Sequence, residues 1–163
     1  MRIRTATIAD AEALASFTRA LILAGPGMVQ SPEQSPTKEE VAARFASYQG
    51  TTLRVVAEID GVIVGDAEVK QLAPKRCSHV GVLAVGVHPE FQRRGIGRAL
   101  MQHLIDHAKK HGLKRLELNV RSDNHAAQAL YRELGFRHEG TRAKFIALDD
   151  GTLIDDQVMV LFP

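Results

Sequence analysis

Thiols are nearly absent from this chain of 163 residues: Cys77 is the single cysteine. One cysteine closes no internal disulfide, so the expectation is a reducing, cytoplasmic setting and a fold held by its core. Long apolar runs are missing too. No stretch approaches the ~20 residues that a membrane-spanning helix needs. The first residues, Met1-Arg2-Ile3-Arg4, lack the apolar core and cleavage site of a secretory leader. An excess of one charge is also missing. Lys and Arg number 21 against 19 Asp and Glu, a net +2. That is too little to expect nucleic acid or an anionic membrane as partner. Repeats, low-complexity tracts and interdomain linkers are not found. What remains, 45% hydrophobic and 25% charged, is an ordinary globular composition. One domain over residues 1–163 is the expectation.

One more absence is informative. The apolar stretch Val80–Val87 runs into His88-Pro89-Glu90-Phe91-Gln92-Arg93-Arg94-Gly95-Ile96-Gly97-Arg98 and then an amphipathic helix. A helix start leaves backbone N–H groups without intrahelical partners. Ser, Thr, Asp or Asn usually caps them, and none stands here. Arg93, Arg94 and Arg98 put positive charge at the positive end of the helix dipole, the unfavourable sign. An anion at that end reconciles both facts. Free N–H groups, the dipole and glycines that admit close approach make a phosphate cradle.

The remaining pattern alternates strand and helix periods. A short strand, Arg2–Thr5, precedes a helix over 7–23, stopped by Gly25-Pro26-Gly27. A proline-bearing loop runs to Pro36. Thr37-Lys38-Glu39-Glu40 is a capping box, opening a helix with Val41, Phe45 and Tyr48 inward. Leu53–Ile59 and Val62–Leu72 flank Asp60-Gly61, a two-residue hairpin signal. Val80–Val87 is apolar on both faces, the mark of a central strand. The Gly95 helix turns Ile96, Ala99, Leu100, Leu104, Ile105 and Ala108 inward and ends at Gly112. A strand with Leu116, Leu118 and Val120 follows, then a helix from Asn124 to Leu134 stopped by Gly135. Two last strands flank Asp149-Asp150-Gly151. The order β-α-α-β-β-β-α-β-α-β-β is of the α/β (α+β) class.

These residues resemble a family. Gln92-Arg93-Arg94-Gly95-Ile96-Gly97 is similar to the acetyl-CoA signature of the GCN5-related N-acetyltransferases (GNAT), Gln/Arg-x-x-Gly-x-Gly/Ala. Asn124-His125-Ala126-Ala127-Gln128-Ala129-Leu130-Tyr131-Arg132-Glu133-Leu134-Gly135-Phe136 is similar to its second signature, Asn-x-x-Ala-x-x-Leu-Tyr-x-x-x-Gly-Phe. The two stand on successive helices separated by one strand. The resemblance implies a mostly antiparallel, twisted sheet flanked by four helices, with two central strands parallel and splayed. It implies acetyl-CoA as cosubstrate, no metal, and a primary amine as acceptor. Backbone amides from Arg93 to Arg98, including Gly95, Ile96 and Gly97, would cradle the pyrophosphate beside Gln92. Val85 and Val87 would bond the pantetheine arm. Asn124 would contact the cofactor, and Tyr131 would contact it and give a proton to the leaving thiolate. Asn124 and Tyr131 lie two helical turns apart, on one face. A phenol suits a thiolate leaving group, because it can donate a proton yet stays protonated at pH 7.

Arg76-Cys77-Ser78-His79-Val80, Glu139-Gly140-Thr141 and Gly151-x-x-x-Asp155 resemble bacterial YhhY-type acetyltransferases, which act on free amino acids. A neutral amino acid is the expected acceptor, its carboxylate met by Lys75 or Arg76. The loop from Gly25 to Pro36, with Pro26, Met28, Val29 and Pro32 and only Glu33 charged, is expected to shape the pocket. A protein N-terminal or lysine acetyltransferase and a non-catalytic acyl-CoA-binding domain are the rival readings, and a homodimer is left open. The base that deprotonates the acceptor is open among Glu68, Glu117, His79, His88 and water. His103, His107 and His111 recur at i, i+4 and i+8, a spacing that can bind metal. With no further ligand motif nearby they read as a solvated face. Cys77 reads as a free loop thiol.

Overall fold

The structure, a computed structural model, describes residues 1–24 and 28–163. Eleven principal elements follow in the expected order: β1 Arg2–Thr5, α1 Ala11–Leu23, α2 Lys38–Ala46, β2 Leu53–Ile59, β3 Val62–Gln71, β4 Val80–Val87, α3 Ile96–Lys110, β5 Arg115–Arg121, α4 His125–Glu133, β6 Arg137–Ala147 and β7 Leu153–Leu161. The first helix starts later than the expected bound at Thr7. Ile8–Asp10 forms a 3₁₀ turn, tied by the Thr7 N–H donating to Asp10 at 2.8 Å, and the α-helix begins at Ala11. The stop signal Gly25-Pro26-Gly27 lies outside the described residues. Two stretches read as plain loop hold single 3₁₀ turns, Pro32–Gln34 and Lys75–Cys77.

One seven-stranded sheet has the order β1-β2-β3-β4-β5-β7-β6. Every neighbouring pair is antiparallel except β4 and β5, which run parallel. Their register covers only Val80↔Arg115, Gly81↔Leu116 and Val82↔Glu117. Beyond Val82 the two strands part, and the edge of β4 that faces β5 has no strand partner up to Val87.

Helices cover both faces. On one face α3 and α4 lie against the sheet, with Ile96, Leu100, Leu104, Ala108, Tyr131 and Phe136 packed on Val55, Val64, Val69 and Leu118. Met101, which the apolar period omits, belongs to the same core and is fully buried. On the other face α1 and α2 cover Val56 and Ile63 through Leu14, Phe17 and Val41. Phe45 packs at the edge of this second cluster, and Tyr48 lies past the end of α2. The α2 capping box forms as read: the Glu40 N–H donates to Thr37 Oγ1 at 3.2 Å, and the Thr37 N–H to Glu40 at 2.8 Å.

The β2–β3 hairpin turns through Asp60 and Gly61, both with positive φ, the type I′ geometry its sequence calls for. Its register slips by one residue between Ala57 and Glu58. That bulge places Arg54 directly across from Glu68.

Candidate active site

The α3 start is built as an anion site. Gly95 is the N-cap in the left-handed region, φ 79°, and no side chain caps the helix. Arg93 also has positive φ, 63°, a conformation that costs a non-glycine residue free energy and marks functional turns. A Cβ built on Gly95 meets nothing within 4 Å, so the space above the free N–H groups is open. Arg93 and Arg98 line the cleft at this end, and Arg98 is paired with Glu133 of α4. Arg94 turns away, donating to the Glu90 carbonyl at 3.0 Å with its guanidinium over Phe91.

That cleft measures about 1160 Å³. Its walls are the parted strands β4 and β5, the start of α3 and the length of α4, with the end of α1 and parts of β6 and β7 at its rim. Val85, Val87, Gln92, Gly95, Ile96, Gly97, Asn124 and Tyr131, all singled out in the sequence, line it together. The Gln92 amide donates to the Val87 carbonyl at 3.2 Å, which fastens the loop to the end of β4. Asn124 is the N-cap of α4, accepting the Ala127 N–H at 3.1 Å. Tyr131 is 7% exposed, and its ring packs at 6.1 Å from Phe136. Burial pushes its phenol up to about 12. The helix ends by folding Phe136 under it, the Phe136 N–H donating to the Tyr131 carbonyl at 2.9 Å. Gln128, one turn before Tyr131, ties α4 to β5 by donating to the Arg121 and Ser122 carbonyls.

A second cleft, of about 270 Å³, lies on the opposite face under α1 and α2. The two clefts share Ala84, Val85 and Gly86 of β4, with Leu21, Met28 and Gln30 beside them, so they meet at β4 where β5 has left it. Gly86 is dictated by packing: a Cβ there would stand 2.5 Å from Leu21 of α1. Met28, Gln30, Gln34 and Pro36 line this cleft, so the loop before α2 does shape a pocket.

The candidate bases separate. Glu68 lines the smaller cleft across from Ala84 and accepts the Tyr48 hydroxyl. Glu117 lines the larger cleft but is paired with Arg115 at 2.9 Å. His79 is exposed at the opposite end of β4. His88 packs on Phe91 with Nδ1 buried and unpartnered. Neither histidine lines either of these two clefts. Lys75 and Arg76 are likewise at the wrong end. They precede Val80, about 20 Å of strand from Gly86, and line neither cleft. Sequence reasoning missed the cations that are present: Arg44 of α2 and Arg54 of β2. Arg54 is 5% exposed and gripped by Asp66 through two bonds of 2.8 Å. An arginine inside the apolar run Leu53–Ile59, with Asp66 and Glu68 on the return strand, was the available signal.

His107 Nε2 contacts the Thr51 carbonyl and His111 Nδ1 the His107 carbonyl, each at 2.8 Å. Cys77 sits half-buried in its 3₁₀ turn, unpaired. No helix among the described residues is long and apolar enough to cross a membrane.

Comparison with known proteins agrees with this geometry. The family model described as acetyltransferase (GNAT) matches residues 21–136. The [Ribosomal protein bS18]-alanine N-acetyltransferase of Escherichia coli (strain K12) is 42% identical over 79 residues, 48% of this chain and 52% of that protein. The chain thus spans about half the length of that relative. The L-amino acid N-acetyltransferase AaaT of the same organism is 33% identical over 132 residues, 80% of this chain and 78% of the other. Among solved structures, an acetyltransferase of the GNAT family from Streptococcus pneumoniae superposes with a TM-score of 0.92 at 27% identity, over 99% of both chains. With the family model matched across residues 21–136 and an amino-acid N-acetyltransferase 33% identical over 80% of the chain, the chain belongs to the GNAT family of acetyltransferases.

Proposed function

We propose that this chain is an N-acetyltransferase that moves the acetyl group of acetyl-CoA to the primary amine of a small metabolite, a free amino acid being the best fit. The observation that carries this reading is the junction of the two clefts over Ala84–Gly86. One cleft ends at an anion-ready helix start, the other is small and mixed in polarity. A donor and an acceptor entering from opposite faces meet there.

The residues present fit acetyl-CoA. The open N–H groups from Arg93 to Arg98 suit a pyrophosphate, and the partnerless edge of β4 at Val85 and Val87 suits an amide-bearing arm. Acetyl-CoA supplies an acetyl group activated as a thioester. The chain's own tasks are three. Glu68 takes the proton that the acceptor ammonium must lose before attack, directly or through water. Backbone N–H groups on the free edge of β4 stabilise the oxygen on which negative charge develops. Tyr131, with no hydrogen-bond partner for its hydroxyl among the described residues, gives its proton to the departing sulfur. The nitrogen–carbon bond forms, the carbon–sulfur bond breaks, and one proton is released to solvent.

A peptide acceptor is the second reading, favoured by the identity to an enzyme that acts on a ribosomal protein's alanine. The acceptor cleft of about 270 Å³ falls just below the roughly 300–1,000 Å³ of small-molecule sites, which supports the small amine. A thiol-release assay with acetyl-CoA across free amino acids, polyamines and N-terminal alanine peptides tests both. Release with amino acids above all others is expected. Preference for the peptide moves the second reading ahead, and no release with any amine leaves only acyl-CoA binding.

A further inference from the structure

We infer that the acceptor cleft reads a carboxylate, through Arg44 of α2 and the buried Arg54 of β2, and so selects amino acids over plain amines. The inference rests on the transferase reading above and names the recognition device within it.

The charges in this cleft are Glu40, Arg44, Arg54, Asp66 and Glu68. Counted alone they are acidic and suggest an amine-rich ligand. Their partners reverse that. Glu40 accepts the Thr37 N–H that closes the α2 capping box. Asp66 holds Nε and Nη2 of Arg54. Glu68 accepts the Tyr48 hydroxyl. Each carboxylate thus has a donor already. Apart from the second oxygen of Glu68, the cations are the groups with capacity left. The Arg44 guanidinium makes no ion pair or hydrogen bond with the described residues, although it faces the cleft. Arg54 is 95% buried by its 5% exposure, yet its third edge, Nη1, is a buried donor with no partner. Leaving such a donor unpaired is costly, and a guanidinium presents its N–H groups in the fork that a carboxylate matches.

The cleft also offers a group for each end of a zwitterion. Glu68 stands across from Ala84, at the junction with the larger cleft. Arg44 reaches the cleft from the last turn of α2, above it. An α-amino acid placed with nitrogen toward Glu68 and carboxylate toward Arg44 leaves its side chain among Leu21, Ile22, Met28 and Val41. Those are apolar, which points to neutral amino acids such as methionine.

The test compares methionine, methionine amide and spermidine as acceptors by kcat/KM in a thiol-release assay. Wild-type protein should prefer methionine. Arg44→Gln, an exposed helix substitution, should lower the methionine-to-amide ratio roughly ten- to a hundredfold, as loss of a charged hydrogen bond predicts. Arg44→Lys should recover part of it, and Arg54→Lys, which keeps the charge facing Asp66, should lower the ratio too. A wild-type preference for the amide or for spermidine overturns the inference while leaving the transferase reading intact. Equal loss on acid and amide in Arg44→Gln overturns it as well, because Arg44 then shapes the cleft without reading the carboxylate. Absence of thiol release with every amine fails the transferase reading itself.

Discussion

Tyr131 shows how one side chain's surroundings set its chemistry. Enclosure among Phe136 and the α3 core leaves it 7% exposed, and the charged phenolate is disfavoured there. The folded-state value of about 12 lies above the ordinary phenol value near 10. A raised value keeps the proton on, so the acid is competent through neutral and mildly alkaline pH and is lost only as pH rises toward 12. Turnover measured against pH should therefore show no falling limb from Tyr131 below about pH 10. Tyr131→Phe keeps the ring and its packing. Turnover should drop roughly 10²–10⁴-fold while acetyl-CoA affinity holds. Unchanged turnover would hand the acid role to water. At this scale the shared face of Asn124 and Tyr131 was readable, because it depends only on spacing along one helix, and both line one cleft. Arg44 and Arg54 were not, since their relevance lies in partners supplied by other elements.

Elements were legible where local chemistry decides them. The Thr37–Glu40 box, the Asp60-Gly61 turn and the Gly112 and Gly135 stops are all local, and all stand in the structure. The late start of α1 was hidden, because Thr7 and Asp10 stand as a cap and its N3 partner and close the 3₁₀ turn at Ile8–Asp10 ahead of the helix. More consequential is the bulge between Ala57 and Glu58. Continuing the hairpin without it would pair Arg54 with Ala67 and turn Arg54 to the face opposite Glu68, since a slip of one residue swaps faces. The charged acceptor cleft thus depends on one extra residue in β3, which no alternation of residue types announces. A prediction belongs here too. Asn124 caps α4 through the Ala127 N–H and also lines the cofactor cleft. Asn124→Ala should destabilise the fold by about 1 kcal/mol and raise the KM for acetyl-CoA. Asn124→Ser restores a cap and should recover the melting temperature. Recovery of KM as well would reduce Asn124 to a cap alone.

For the whole molecule, the fold class followed from the order of periods, whereas the crossing of two clefts through the sheet did not. Acetyl-CoA at about 100 times its dissociation constant should stabilise the protein by roughly 2.7 kcal/mol, a rise in melting temperature of roughly 5–11 °C at this size. Gly97→Glu should abolish that rise without lowering the ligand-free melting point. A Cβ at Gly97 meets Leu130 and Val87 only at 3.4 and 3.5 Å, ordinary contact, and an acidic residue suits a helix start. What the substitution removes is room for another anion. The same rise in wild type and variant would relocate the phosphate site. The short β4–β5 ladder has a mechanical meaning as well. Three residue pairs are the direct strand-to-strand seam between a four-stranded half and a three-stranded half, so the sheet resembles tweezers joined near one end. A guest lying between the tips, bonding to the free rim of β4, would act as an eighth strand and lock the halves together. Amide hydrogens on that rim between Leu83 and Val87 should exchange fast in the ligand-free protein and slow sharply with acetyl-CoA, while those of the β2–β3 hairpin change little. Uniform slowing across the sheet would mean that the halves already move as one body.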